Sequence, residues 1–180
     1  MVATRISVAE FEAVRGDDRF ELIDGKIVRM PLSDAGSSSI AQWIGYLLGR
    51  HVFLLALGDL YSADGGFVLF PDRETVRIPD VAFVRADRAP QGEALDHFVR
   101  VPPDLAVEVM SAFDRAGEIA AKVVMYQEAG VPLVWLVDRW AKRVAVFALG
   151  QEPVTLGIGD ELTGGDVLPE FRVAVAEVFA

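Results

Sequence analysis

"LAVEVMS", residues 105–111, wraps five apolar side chains, Leu105, Ala106, Val107, Val109 and Met110, around one carboxylate, Glu108. A short run this apolar reads as a strand buried on both faces. A carboxylate inside such a strand is destabilising unless it is paired, neutralised or bound to a metal, so the rest of the chain must supply a partner. Residues 114–129 read as a helix with Ile119, Val123 and Tyr126 at apolar positions, closed by Gly130 and Pro132. VPLVWLVD, residues 131–138, is the next apolar strand. Strand, helix and strand in succession imply a βαβ unit, and hence one parallel pair in an otherwise antiparallel sheet.

Outward from that unit, residues 7–16 read as a short helix with Ser7 as N-cap and Glu10 completing a capping box. FELIDGKIVRM, residues 20–30, reads as a hairpin turning at Asp24-Gly25. A polar turn over residues 33–39 leads into a helix over 40–57. GFVLF (66–70) and DVAFVRA (80–86) read as antiparallel neighbours, and RVAVFA (143–148) as the partner of 131–138. A last short strand and a segment ending VAVAEVFA close the fold. With no internal repeat and no low-complexity linker, residues 1–180 read as one α/β domain, a mixed sheet flanked by helices.

Composition narrows the chemistry. The 180 residues, 52% of them hydrophobic, are enough to bury a sizeable core. Cysteine is absent, which excludes disulfides and thiolate metal sites and leaves oxygen or imidazole ligands, favouring a hard cation such as Mg²⁺. The formal net charge of −10 opposes tight nonspecific DNA binding, although a local basic edge is compatible with an acidic body. The N-terminal sequence lacks the pattern of a secretory signal, so the cytoplasm is the expected location. Gln42, Arg50 and His51 interrupt the apolar stretch 40–57, which reads as a buried helix and not a membrane span. Its end, residues 52–57, is apolar on every side and suits contact with a second subunit, so a homo-oligomer, most simply a dimer, is expected. Neither a phosphate-binding glycine loop nor a nucleophile elbow is present.

Besides Glu108, three charged residues sit at the edge or centre of apolar elements: Asp80 after Ile78-Pro79, Lys122 on the helix after the LAVEVM strand, and Glu21 in the hairpin. Two carboxylates at strand ends can share a divalent cation, and a nearby lysine can hold a water or offset a developing negative charge. Each residue also has a plainer reading. Asp80 suits a strand-initiating turn, Lys122 an ion pair with Glu118 one helical turn earlier, Glu21 a cross-strand pair with Lys26 or Arg29, and Glu108 a buried pair with an arginine. Arg77, Arg85 and Arg88 near Asp80, and Arg139, Lys142 and Arg143 in a hairpin turn, are candidates for phosphate contact or simple solvated charges. Trp135 reads as core and Trp140 as a candidate for base stacking.

The order FELIDGKIVRM, IPDVAFV, PPDLAVEVMS, a helix carrying Lys122 and Tyr126, and then AGVPLVWLVD resembles the Uma-two type of restriction endonucleases, within the PD-(D/E)XK nuclease superfamily. The similarity runs from about residue 8 to the terminal VAEVF. It implies a restriction-endonuclease-like fold and Mg²⁺- or Mn²⁺-dependent hydrolysis of DNA, or the same fold serving as a weakly catalytic or inactive binding module. It further implies Asp80 and Glu108 as metal ligands, the Val109 carbonyl as a backbone ligand, and Glu21 as an accessory acid. The superfamily's plain form has lysine two residues after the second acid; here that position is Met110, and Lys122 fits members whose lysine lies on the next helix. Where family members commonly carry a histidine before the long helix, this chain has Gly36-Ser37-Ser38-Ser39, and its histidines are His51 and His97.

Overall fold

A computed structural model describes residues 5–14 and 19–180. Its elements, in order, are α1 (Val8–Val14), β1 (Phe20–Ile23), β2 (Lys26–Arg29), α2 (Ala35–Val52), β3 (Gly58–Ser62), β4 (Phe67–Phe70), β5 (Thr75–Arg77), β6 (Val81–Arg85), β7 (Leu105–Val109), α3 (Ala116–Glu128), β8 (Leu133–Asp138), β9 (Arg143–Ala148), β10 (Val154–Leu156), β11 (Glu161–Gly164), β12 (Leu168–Ala174) and α4 (Val175–Val178). The end of the helix expected over 7–16 lies outside the described residues. Its start is capped as expected, with Ser7 N–H donating to Glu10 Oε2 (2.7 Å) and Glu10 N–H to Ser7 Oγ (3.2 Å).

The LAVEVM strand is the centre of the molecule. The main sheet runs β10-β9-β8-β7-β6-β3, and β7 is parallel to β8, joined to it through α3. All five β7 residues are buried, because each face of the sheet is covered by a helix. Leu105, Val107 and Val109 point into one core with Ile44, Leu48 and Val52 of α2 and with Trp135 of β8. Ala106 turns to the other side, where Val123 and Tyr126 of α3 cover Ala82, Val84 and Val134. Strand alternation therefore aims Glu108 at α3 and not at solvent.

A second sheet, β2-β1-β5-β4, packs beside the first. Its β1–β2 hairpin forms as the sequence indicates: Asp24 (φ 49°) and Gly25 (φ 73°) both take the left-handed conformation of a two-residue turn. The pairing expected between 66–70 and 80–86 does not occur. A short 3₁₀ turn, Pro71–Arg73, and left-handed Glu74 send the chain back so that β4 pairs with β5, a three-residue strand. Pro79, which has no N–H to give a ladder, then marks the passage into β6, and β6 pairs with β3 and β7 in the main sheet.

Helix α2 also departs from its expected limits. It starts at Ala35 because Asp34 Oδ1 accepts the N–H groups of Gly36 and Ser37, which makes the serine run its first turn and not a loop. It ends at Val52, where Leu57 N–H returns to the Val52 carbonyl and Ala56 adopts φ 51°. Phe53, Leu54 and Leu55 are left exposed, and Gly58 begins β3. No helix among the described residues is long and apolar enough to cross a membrane.

Candidate active site

Antiparallel pairing sets the start of β6 beside the end of β7. Asp80 N–H donates to the Val107 carbonyl (3.1 Å), and Asp80 Oδ2 accepts the Val109 N–H (2.8 Å). This second bond replaces a ladder bond with a side chain and pins the Asp80 carboxylate against the Glu108–Val109 peptide. Oδ1 of Asp80 makes no hydrogen bond among the described residues. A strand residue turns its N–H and C=O to the same edge in this setting, so the Val109 carbonyl faces Asp80 as well.

Glu108 is 3% exposed and meets two donors from one face of α3. Its Oε1 accepts from Tyr126 Oη (2.7 Å) and its Oε2 from Lys122 Nζ (3.0 Å). Lys122 and Tyr126 are four residues apart, which stacks them on a single helical face. Lys122 Nζ also lies 3.8 Å from Glu21 Oε1. Glu21, on β1, accepts from Arg77 Nη1 (2.6 Å) and from the Ile78 N–H (3.0 Å). Two cations thus face three carboxylates in a cluster almost closed to water.

The electrostatics follow from that imbalance. Burial, with the neighbouring Asp80 and Glu21 charges, outweighs Lys122 and the Tyr126 hydrogen bond and pushes Glu108 up to about 7 from an ordinary 4.5. Burial likewise raises Asp80, against the Val109 N–H and the Lys122 charge. For Lys122 burial opposes the charge, but Glu108 and Glu21 overcome it, so the ammonium persists beyond the usual lysine range. Burial and the same two carboxylates raise Tyr126, which stays a phenol donor. A carboxyl raised by folding stabilises the fold below its unfolded value and loses that contribution as pH rises through the folded value. The metal-free protein is therefore expected to lose on the order of 2 kcal/mol, several degrees in melting temperature, between pH about 4.5 and about 7. Thermal melts across that window check it: Glu108→Gln should flatten the curve, and a flat wild-type curve would contradict it.

These groups open on a cavity of about 390 Å³ lined by Glu21, Asp80, Glu108, Val109 and Lys122, with Arg77 and the hairpin residues Val28, Arg29 and Met30 on its walls. All five residues singled out in the sequence are therefore brought together. Their plainer readings give way in part. Lys122 pairs with Glu108 while Glu118 turns to Arg115 (3.7 Å), and Glu21 pairs with Arg77 and not with Lys26 or Arg29. Among the described residues, no three His, Cys, Asp or Glu side chains lie close enough to hold a metal by themselves. The oxygens that Asp80, Glu108 and Val109 offer there, two carboxylates and a backbone carbonyl, are of the kind that a hard cation takes while retaining several waters.

Of the other sequence candidates, Arg77 lies in the cavity wall and the rest fall elsewhere. Arg77 is buried and its guanidinium is committed to Glu21, so it is no free phosphate contact. Arg85 and Arg88 sit at or beyond the far end of β6, paired with Asp87 and Asp104. Arg139 pairs with Asp34 (3.1 Å) and stacks on exposed Trp140, whereas Trp135 is core. His51 contacts the Pro169 carbonyl and His97 lies near Glu12, neither of them on the cavity. The site residue to which the sequence assigns no role is Tyr126, an apolar helix position that also belongs to the family pattern; its spacing of four from Lys122 is the available signal.

A mixed sheet clasped by helices is an architecture shared with solved structures. One is described as a "putative nuclease belonging to DUF820" from Anabaena variabilis; it superposes with a TM-score of 0.83 over 97% of each chain at 17% identity. That identity carries the fold. The chain belongs to the Uma2 family, described as "Putative restriction endonuclease", whose profile matches residues 8–176. No curated protein matches it.

Proposed function

We propose that the protein is a divalent-cation-dependent endonuclease that hydrolyses DNA phosphodiester bonds, acting in the cytoplasm. The observation that carries this reading is the convergence of Asp80, Glu108 and Lys122 on one cavity at the junction of β6 and β7. Asp80 through its free Oδ1, Glu108 and the Val109 carbonyl are the groups that would hold Mg²⁺ or Mn²⁺, with Glu21 reaching it through water. The cation, when bound, supplies Lewis acidity toward a phosphoryl oxygen and acidifies the attacking water. Lys122 Nζ, held by Glu108 and Glu21, is poised to orient that water and to offset negative charge on the pentavalent phosphorus. Water oxygen then bonds to phosphorus and sheds a proton to solvent, the bond to the 3′ oxygen breaks, and that oxygen takes a proton from solvent. DNA as substrate rests on the family. Exposed Phe53, Leu54 and Leu55 after α2 support assembly of two copies.

One observation favours a second reading, a nuclease fold kept as a binding or assembly module. Both Glu108 oxygens are already satisfied by Lys122 and Tyr126, so the buried carboxylate has protein partners without a metal. Calorimetry separates the two. Mg²⁺ and Mn²⁺ should bind the wild type, alone or with a DNA duplex, and Asp80→Ala and Glu108→Ala should abolish the signal. Wild-type protein that binds neither cation, with or without the duplex, would overturn the enzyme reading.

A further inference from the structure

In a chain with ten excess negative charges, the position of unpaired cations is informative. Among the described residues, Arg5, Arg19, Lys26, Arg29, Arg50, Lys142 and Arg143 make no ion pair, while the other cations do. All except Arg50 belong to two places, the hairpin that walls the cavity and the turn that follows β8.

The first is the β1–β2 hairpin. Arg19 and Arg29 line the cavity at the base of the hairpin, and Lys26 is exposed at its tip. Arg5 joins them, since Ile6 N–H donates to the Gly25 carbonyl and the Arg5 side chain lies against Gly25. The second place is the turn between β8 and β9, where Lys142 and Arg143 are exposed. Because β8 is parallel to β7, this turn emerges at the same end of the sheet as Val109. It is also tied to the cavity rim. Ser111 lines the cavity, the next residue, Ala112, donates its N–H to Asp34 Oδ2, and Asp34 holds Arg139 of the turn.

We propose that the hairpin and the β8–β9 turn form two basic walls that grip the phosphate backbone of a DNA substrate on either side of the cavity. The inference deepens the nuclease reading and rests on it. Charge complementarity identifies the occupant: unpaired cations bracketing a site for phosphodiester chemistry neutralise phosphates and release counterions. It also reconciles DNA binding with an acidic protein, whose remaining surface would repel nonspecific contact. A plainer role exists for Lys26, since β2 is an edge strand and charge there discourages edge-to-edge pairing. That role gives no reason for Arg29 to line the cavity or for Lys142 and Arg143 to lie exposed at the same end of the sheet, and it has no consequence for DNA.

The test is fluorescence anisotropy of a labelled DNA duplex, in Ca²⁺ to hold off cleavage, as a function of salt. The double variants Lys26→Glu/Arg29→Glu and Lys142→Glu/Arg143→Glu should each weaken binding at least tenfold. Each should also reduce the slope of log affinity against log salt by about 2, as expected for two lost phosphate contacts. Arg50→Glu, on another face, should change neither. Wild-type binding that persists unchanged in both double variants, or that Arg50→Glu weakens equally, overturns the two walls and leaves the nuclease reading intact. Wild-type protein that binds no duplex even at low salt overturns both.

Discussion

Glu108→Ala should abolish DNA cleavage, by about 10³-fold or more, and lower unfolding stability by about 3 kcal/mol. The two losses have separate causes. Removing the carboxylate removes the only side-chain oxygen on β7 that reaches the cavity, so a cation would have Asp80 and a backbone oxygen alone. The same change leaves Lys122 buried with Glu21 at 3.8 Å as its remaining ion-pair partner, and leaves the Tyr126 hydroxyl without its acceptor. Breaking one side of a buried pair is costly because the other side stays buried. Glu108→Gln separates the effects, since an amide can still accept from Lys122 or Tyr126 but is a poor ligand for a hard cation. It should lose cleavage as fully as alanine while keeping most of the stability, as urea unfolding and plasmid cleavage run in parallel would report.

Lys122→Ala should cut cleavage by roughly 10²–10³-fold without weakening cation binding, provided the pH is held high enough to keep Glu108 ionised. The proviso follows from the sign of the coupling. Lys122 lowers Glu108, so its loss lets burial raise that carboxyl beyond about 7, and the comparison belongs near pH 8.5. There the freed Glu108 Oε2 is available to the cation, and calorimetry should show binding at least equal to wild type. A variant that loses binding and cleavage together would make Lys122 a structural partner of Glu108 and not a participant in the chemistry.

Much of the site was legible in the sequence because its defining conflict is local. A carboxylate between Val107 and Val109 violates the burial pattern of its own strand, and Asp80 after Pro79 marks a strand start. The βαβ unit and the Asp24-Gly25 hairpin were legible for the same reason, since period and turn chemistry act over a few residues. Partnerships between distant segments were not. On a helix, Glu118 is the nearest acid to Lys122 by spacing, yet α3 buries the face carrying Lys122 and Tyr126 against β7 and points Glu118 to solvent. Arg77 looked like a free cation because nothing local reveals that β5, only three residues long, pairs with β1 next to Glu21. The β4 partner was misjudged for that reason too. The serine run before α2 reads as a turn until Asp34 is seen to cap it.

The most direct test is conversion of supercoiled plasmid to nicked and linear forms by the purified protein, in Mg²⁺ or Mn²⁺ and in chelator, beside Glu108→Gln. Cleavage by wild type that requires the cation and vanishes in Glu108→Gln, with the variant still folded, is the expected result. Cleavage that survives in folded Glu108→Gln, or a wild type that leaves the plasmid intact in both cations, would contradict a metal-dependent nuclease built on the buried carboxylate of β7.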